Sequence, residues 1–236
     1  MAFEVMKDIE GYIKDEDLRK FLAIINRPRD KVIFNLLART GRRVGEVLML
    51  KTDDIDYMGK TITWCIEKKK PLSRIKNEDG KVIESKEDFK IRQKAEQERR
   101  RNNPVYRSMK PIDNVSLDLV MGHIDAENLK EGDKLFTINR FRVYQLTREY
   151  GIKAGFPTAM ILSRKKNLNL VPLVGKKPLH PHHFRHTFAV KKAKSMKSPA
   201  ELEKLRQWLE HSSINTTQQY LKFRMEELRD MVMEEI

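Results

Sequence analysis

The chain has 236 residues, enough for one large domain with a sizeable core. It carries 48 Lys and Arg against 34 Asp and Glu, a net charge of +14, which favours a polyanionic partner, nucleic acid first, over a merely basic solvated surface. Cys65 is the single cysteine, which excludes an internal disulfide or a CxxC metal pair. Because no apolar run is long enough to span a membrane and the N-terminus is acidic, we expect a cytoplasmic protein without membrane contact.

Apolar periodicity predicts a mainly helical chain with a small sheet. The predicted helices cover 18–25, 32–50 (interrupted at 40–41), 114–124, 141–155, 181–195, 200–209 and 214–233. Thr40 is expected to cap the helix that follows it, and residues 52–57 are expected to turn. The predicted strands cover 61–67 and 105–113, while 168–174 favours a short strand or a loop. In the first strand, Ile62, Trp64 and Ile66 share one face.

Residues 68–103 differ from the rest because they are crowded with Lys, Arg and Glu and have few apolar anchors. Within them, 84–101 favours either an exposed helix or mobile chain. Its basic residues would add salt-dependent contacts to a DNA backbone, although the acidic residues among them also suit a plain solvated surface.

Three stretches match a known family as a set. TGRRVGEVLML at 40–50 resembles T-G-x-R-x-x-E-x-x-x-L, HPHHFRHTFA at 180–189 is similar to H-x-[LF]-R-H-T-F-A, and LEHSSINTTQQYLK at 209–222 resembles L-G-H-S-[ST]-x-x-T-T-x-x-Y. These are motifs of the tyrosine recombinases, or phage-type integrases, in the family's order and spacing. The resemblance covers about residues 10–223 and implies that family's catalytic-domain fold, mainly α with a small antiparallel β-sheet.

The arginines in these motifs suit an attack on a phosphodiester. Such an attack gathers negative charge on the nonbridging oxygens, and a guanidinium can compensate it with paired N–H donors. Arg43 and Arg185 are the candidates, and the resemblance implies that they clamp the scissile phosphate. Glu46 is expected to hold the loop around Arg43.

The resemblance also implies roles for two histidines and a tyrosine. His182 shares a helix face with Arg185 and would transfer a proton or contact the phosphate. His211 would bond the phosphate or position the nucleophile. Tyr220 would attack the phosphorus and form a 3′-phosphotyrosine, which conserves the energy of the broken bond for religation.

The proton for the leaving 5′ oxygen comes, in the family, from a lysine in a β-hairpin after the first motif. Lys68, Lys69 and Lys70 all qualify by position. We select Lys69 because it lies on the strand alternation opposite to Trp64, with Lys68 as the alternative.

Three departures from the family pattern stand out. Arg42 occupies a position that is usually apolar and competes with Arg43 as the catalytic arginine, although the spacing to Gly41 favours Arg43. Glu210 replaces a usual glycine and places a negative charge near the site, which could reduce activity. Residues 71–104 lengthen the hairpin loop well beyond its common short form.

The expected organisation is a single catalytic domain over 1–236, with a charged insertion at 71–104 and a helix after the nucleophile. Because the resemblance begins near residue 10, we expect this sequence to lack the family's N-terminal DNA-clamping domain, either as a naturally minimal recombinase or as an excised catalytic fragment. The expected partner is double-stranded DNA, with a free monomer and a tetramer in the synapse. The last helix could pack on its own domain or on a neighbouring protomer, and no cofactor or metal is expected.

Three alternatives remain open. A type IB topoisomerase shares this active-site chemistry but relaxes supercoils alone. A catalytically silent DNA-binding regulator would keep the fold, and Glu210 fits that possibility. The histidines at 180–186 include an i, i+4 pair, His182 and His186, that could hold a metal, but no HExxH accompanies them.

Overall fold

The computed structural model describes residues 11–66, 74, 75, 77, 79, 81–102, 107–162, 168–196, 198–211 and 217. This part of the chain contains eight α-helices and six strands, which confirms a mainly helical fold. The helices are α1 (Asp15–Ala23), α2 (Pro28–Thr40), α3 (Val44–Leu48), α4 (Lys86–Asn102), α5 (Asn114–Ala126), α6 (Arg140–Lys153), α7 (His182–Lys194) and α8 (Pro199–Leu209). The strands are β1 (Ile55–Asp56), β2 (Thr61–Cys65), β3 (Arg107–Pro111), β4 (Thr158–Leu162), β5 (Leu168–Val174) and β6 (Lys177–Pro178). None of the described helices is long and apolar enough to cross a membrane.

Helix α2 is the central helix and packs against both α5 and α7. Pro28 suits its first turn because proline has no N–H to leave unpaired there. The helix ends at Gly41, whose φ of 66° is left-handed and whose N–H donates to the carbonyl of Leu37. A Cβ on Gly41 would lie 2.5 Å from Cδ1 of Phe188 on α7. Glycine therefore lets the first motif run directly against the helix that carries the second.

The predicted helix cap at Thr40 is wrong. The Thr40 hydroxyl donates back to the Leu36 carbonyl (2.5 Å) and accepts the N–H of Arg42 (3.3 Å). Thr40 therefore closes α2 instead of opening α3. The residue before α3 is Arg43, whose N–H donates to the carboxylate of Glu46 at 3.1 Å. Residues 41–43 separate Thr40 from α3, and the N–H of Arg43 is bonded instead by Glu46, a side chain inside that helix.

An aromatic cluster joins the helices that carry the motifs. The ring of Phe21 on α1 lies 5.1 Å from those of Phe34 on α2 and Phe184 on α7, both in edge-to-face contact. Tyr150 on α6 lies 5.8 Å from Phe34. Residues far apart in the sequence thus share one core, which fixes α7 and α6 against α2.

The described residues form two three-stranded antiparallel sheets where the sequence predicted one. The first, in the order β1-β2-β3, pairs Trp64 with Ser108. Ile62, Trp64 and Ile66 are buried, as predicted. The expected turn at 52–57 is a 3-10 helix at Thr52–Asp54 followed by β1, which is too short to show an alternation.

The second sheet, in the order β4-β5-β6, packs against α6. Residues 168–174 form strand β5, as the strand alternative predicted. Strands β4 and β6 were not predicted. Five-residue and two-residue strands with mixed side chains carry too little alternation to be recognised.

The charged insertion contains helix α4, which confirms the helical alternative for 84–101. Just before it, Glu84 accepts hydrogen bonds from the guanidinium of Arg92 (2.8 Å) and from the N–H of Ile75 (3.1 Å). Lys68, Lys69, Lys70 and the predicted helix at 214–233, Thr217 excepted, lie outside the described residues.

Candidate active site

Arg43 stands at the start of α3 and keeps its side chain 41% exposed. Its Nη1 donates to Oε1 of Glu46 at 2.9 Å, while its backbone N–H donates to the other carboxylate oxygen. Glu46 is buried and therefore fixes both the main chain and the guanidinium of Arg43. This arrangement confirms the structural role predicted for Glu46.

Arg42 and Arg43 are separated by their burial. The side chain of Arg42 is 1% exposed and its guanidinium carbon lies 5.3 Å from the ring centre of Trp64 and 6.0 Å from that of Trp208. A phosphate of a DNA backbone cannot reach a group enclosed in this way. Of the two arginines that the sequence left in competition, only Arg43 is therefore exposed enough for direct contact with a phosphate.

Arg185 on α7 is 2% exposed and bridges two distant segments. Its Nη1 donates to the carbonyl of Gly41 at 2.9 Å, and its Nη2 donates to the carbonyl of Leu209. These bonds hold the turn before Arg43 and the end of α8 on the same guanidinium. A charged donor to two buried carbonyls stabilises their geometry strongly because breaking either bond leaves a buried polar group unsatisfied.

His211 follows α8 and is 7% exposed. Its Nδ1 lies 2.9 Å from the hydroxyl of Thr217, which stands three residues before Tyr220 in the sequence. Arg206 donates to the His211 carbonyl at 2.8 Å. Desolvation by burial, followed by the positive charges of Arg185 and Arg43, lowers the pKa of His211 to about 4. The imidazole is therefore neutral near pH 7.

His182 opens α7 and is exposed to solvent. Desolvation by the surrounding protein, then the charges of Arg185 and nearby groups including Arg43, lowers its pKa to about 4. Its backbone N–H donates to Nδ1 of His180 at 3.2 Å. Beside it, His183 is buried and its Nδ1 accepts the N–H of His180 at 3.1 Å, which requires a neutral ring.

These contacts bring four of the predicted site residues together. His211 and His182 each experience the charges of both Arg43 and Arg185, and His211 also experiences His182. The bonds of Arg185 to Gly41 and Leu209 hold the turn before Arg43, helix α7 and the segment before His211 together, so two arginine cations and two neutral imidazoles share one cluster. Lys69 and Tyr220 lie outside the described residues.

The described residues contain no group of three or more His, Cys, Asp or Glu side chains placed to hold a metal ion. The imidazoles of His180 and His183 instead stack at 3.9 Å between ring centres.

A basic and aromatic face lies next to this cluster, and the sequence analysis did not identify it. Helix α6 lines an open depression with five side chains, namely Arg140, Phe141, Tyr144, Gln145 and Arg148. Phe141 is 69% exposed, and the ring of Tyr144 stacks near that of His180 at 6.4 Å. The guanidinium of Arg140 occupies the space where a Cβ on Gly45 of α3 would lie. The signal was present in the sequence as arginines and aromatics at i, i+4 and i, i+8 spacing.

Comparisons with known proteins agree with this architecture. The tyrosine recombinase XerA of Thermococcus kodakarensis is 25% identical over 234 residues, which cover 96% of this chain and 63% of that relative. The crystal structure of XerA recombinase matches 95% of this chain and 64% of its own, with a TM-score of 0.58 at 20% identity. XerH site-specific recombinase bound to a palindromic difH substrate matches 94% of this chain and 52% of its own, with a TM-score of 0.55 at 20% identity.

The structural matches show the fold. The chain spans 63% of the length of the curated XerA relative, which is less than two thirds. Family membership rests on the match to a family model. The sequence model of the Phage integrase family matches residues 12–227, which include all three motifs. The chain therefore belongs to the Phage integrase family.

Proposed function

We propose that this chain is a tyrosine site-specific recombinase that cuts and rejoins DNA strands through Tyr220. The observation that carries the proposal is the bridge made by Arg185, whose guanidinium bonds Gly41, two residues before Arg43, and Leu209, two residues before His211, and so unites all three motifs. The hydrogen bond between His211 and the hydroxyl of Thr217 adds support, because Thr217 lies three residues before Tyr220 in the sequence.

In the proposed reaction the phenol oxygen of Tyr220 attacks a backbone phosphorus and forms a phosphotyrosine bond to the 3′ side. The bond from phosphorus to the 5′ oxygen breaks, and Lys69 gives that oxygen its proton. The phenol proton passes to a base at the site or to water. A 5′ hydroxyl of another strand then attacks the phosphotyrosine, which reseals DNA and releases the tyrosine, so no external energy source is consumed.

The two arginines have different proposed tasks. Arg43 is exposed enough to bond a nonbridging phosphate oxygen directly, with Glu46 fixing its orientation. Arg185 supplies positive charge from a buried position and keeps the two flanking segments in register through Gly41 and Leu209. Charge fixed before the substrate arrives stabilises the transition state without further rearrangement.

The histidines enter the reaction as neutral rings. Because the lowered pKa of His211 reflects burial and nearby cations, a bound phosphate would oppose those cations and raise it toward neutrality. A neutral imidazole can accept a proton or donate a hydrogen bond to the phosphate. We propose these roles for His211 and His182.

Double-stranded DNA is the proposed partner, and the face of α6 is the proposed contact surface beside the cluster. Arg140 and Arg148 would neutralise phosphates, while the exposed Phe141 offers an apolar contact to bases. The XerH structure, a recombinase of the same fold, is described as bound to its DNA substrate. The net charge of +14 is consistent with such a partner.

We further propose that residues 1–236 act as one catalytic domain, with 71–104 as an insertion. The chain would be monomeric when free, would assemble as a tetramer on DNA, and would work in the cytoplasm. The helix expected after Tyr220 could join neighbouring protomers or pack on its own domain. Gel filtration that showed a stable tetramer without DNA would contradict the free monomer.

The test is covalent capture on a library of nicked duplexes with random sequence around the nick. The nick lets the 5′ fragment diffuse away, so a 3′-phosphotyrosine accumulates and remains on a denaturing gel. We expect adducts with the unmodified chain and none with Tyr220→Phe. Arg43→Ala should remove them, whereas Arg39→Ala, which changes an exposed arginine paired with Asp113 instead, should retain them.

The other outcomes identify the alternatives. Relaxation of a supercoiled plasmid at many unrelated sequences by the chain alone would support a topoisomerase instead. Clear binding to the library without any adduct would support a silent DNA-binding regulator. Either result would overturn the proposed recombinase function.

A further inference from the structure

Two departures from the family pattern meet in the structure. Arg42 stacks on Trp64 of β2, and Glu210 accepts a hydrogen bond from the hydroxyl of Ser108 on β3 at 2.8 Å. Trp64 and Ser108 are direct partners across the antiparallel ladder. Arg42 and Glu210 therefore dock on the same cross-strand pair, one from the loop after α2 and the other from the end of α8.

Arg42 is a buried cation that lacks hydrogen bonds. None of its three guanidinium nitrogens has a hydrogen-bond partner among the described residues. Its nearest carboxylate oxygen on Glu46 lies 3.9 Å away, and Glu46 already accepts two hydrogen bonds from Arg43. Flanking rings of Trp64 and Trp208 attract the cation but cannot neutralise it. A buried charge in this situation needs further negative charge close by.

Glu210 brings a negative charge to the same cross-strand pair from a strained position. Its φ of 55° is left-handed, a conformation that glycine adopts freely and other residues adopt at a cost. Its side chain is only 11% exposed and also lies 3.5 Å from Nζ of Lys110. Burial lowers the pKa of Arg42, whereas the charges of Glu46 and Glu210 oppose that shift. Glu210 is strained, but its side chain makes polar contacts with Ser108 and Lys110 that a glycine could not make.

We propose that Glu210 and Arg42 form a buried charge couple that fixes the end of α8, and with it His211, to the β2–β3 sheet. Glu210 immediately precedes His211, and its neighbour Leu209 is held by Arg185. Strand β2 leads toward Lys68–Lys70 in the sequence. The couple positions three parts of the candidate site relative to one another: His211 after α8, the loop that carries Arg43, and strand β2. Its role toward His211 rests on the proposed function, but the charge couple itself does not.

A double-mutant cycle on the full chain tests the couple through thermal unfolding. The variants are Glu210→Gly, Arg42→Met and the double variant; methionine keeps an unbranched side chain of similar length. On backbone grounds alone Glu210→Gly should raise the melting temperature, because it relieves the positive φ. We expect the opposite sign, a fall of about 3 °C or more, because the change removes a counter-charge from Arg42.

With Arg42→Met already in place, the sign should reverse and Glu210→Gly should raise the melting temperature. The charge couple would be contradicted if Glu210→Gly raised the melting temperature both with and without Arg42→Met, or if the shifts from the two changes were strictly additive. Glu210→Gln separates charge from hydrogen bonding, because it can still accept from Ser108 but is neutral. It should also lower the melting temperature, and a melting temperature equal to that of the unmodified chain would contradict the proposal. This comparison stands even if Arg42→Met fails to fold.

The positioning role is tested by separating cleavage from binding on the nicked-duplex library. Glu210→Gly should lower the rate of adduct formation about tenfold while the Kd for DNA changes less than twofold, and the double variant should recover rate. Equal losses of rate and affinity would indicate a general structural role and contradict positioning. If the unmodified chain forms no adduct, the proposed function fails, and the unfolding cycle still decides the couple.

Discussion

Two charged regions differ in how far apart in the sequence their bonded partners lie. The first is the wall of the candidate site, meaning helix α7 with Gly41 and Leu209 on its Arg185, and the second is the segment around Glu84, within the proposed insertion at 71–104. Arg185 is buried and bonds carbonyls 144 and 24 residues away along the chain. Glu84 bonds Ile75 and Arg92, partners no more than nine residues distant. The wall is therefore a product of the whole fold, whereas the insertion is stabilised locally. A mutation in the wall should disturb both stability and chemistry, and one in the insertion should disturb neither.

The largest expected effect comes from exchanging arginine for lysine in each region. Arg185→Lys keeps the charge but cannot bridge the Gly41 and Leu209 carbonyls, so we expect a loss of about 3 kcal/mol in the free energy of unfolding. Adduct formation should fall at least about a hundredfold. The matched change in the insertion, Arg92→Lys, should leave both quantities unaltered. Chemical denaturation and the capture assay measure them, and equal effects in the two regions would remove the distinction.

Gly41→Ala sharpens the comparison at the level of packing. The new Cβ would meet Phe188 at 2.5 Å and would force alanine into a positive φ, so we expect a loss of about 1–3 kcal/mol in unfolding free energy. Gly122 on α5 has open space around its Cβ position and serves as the control. Gly122→Ala should stabilise by up to about 1 kcal/mol, because alanine favours a helix interior. Thermal unfolding of both variants checks the pair, and a stable Gly41→Ala would show that the α2–α7 contact is not tight.

The wall should also be sensitive to acid. Burial, followed by the charges of nearby histidines, lowers the pKa of His183 to about 3, so the ring is neutral in the folded chain and protonates first in the unfolded one. Stability is thus complete above the unfolded pKa of about 6.5 and declines as pH falls from there toward 3. His183→Asn keeps an acceptor for the His180 N–H but does not titrate. Its unfolding free energy should fall less steeply than that of the unmodified chain between pH 6.5 and 5. Parallel slopes would contradict the assignment.

The smallest effect is expected in the insertion. Lys90 and Lys94 are exposed on α4, and their replacement by glutamine should weaken DNA binding about three- to tenfold at low salt and reduce the salt dependence of Kd. Glu87→Gln on the same helix should strengthen binding. Fluorescence anisotropy at several salt concentrations measures all three changes. Unchanged affinity in every variant would make α4 a solvated surface helix without a role in DNA binding.

Local signals in the sequence were sufficient to predict most of the described helices, and the motifs supplied the candidate site residues. Apolar spacing located α5, α6 and α7, and motif spacing selected Arg43 and His211 for the site. The burial of Arg42 was not predictable, because it depends on Trp64 and Trp208, rings that come from two other elements. The sequence identified Arg42 as a charged residue at a usually apolar position, but it did not indicate where the side chain would lie.

The remaining differences have two causes. The sequence predicted a negative charge near the site at Glu210 but could not show that Ser108, 102 residues earlier in the chain, donates a hydrogen bond to it, because a linear pattern does not encode contacts between distant segments. Strand β4 and the basic face of α6 were not predicted because their patterns are short or interspersed with ordinary surface residues.

The most direct test of the central claim is to identify the residue that carries the DNA. Adducts from the nicked-duplex library would be digested with nuclease and protease, and the modified peptide sequenced by mass spectrometry. We predict a nucleotide attached through phosphate to the Tyr220 oxygen, and no such peptide from Tyr220→Phe. A nucleotide on any other residue, or adducts that persist in Tyr220→Phe, would contradict the proposed mechanism.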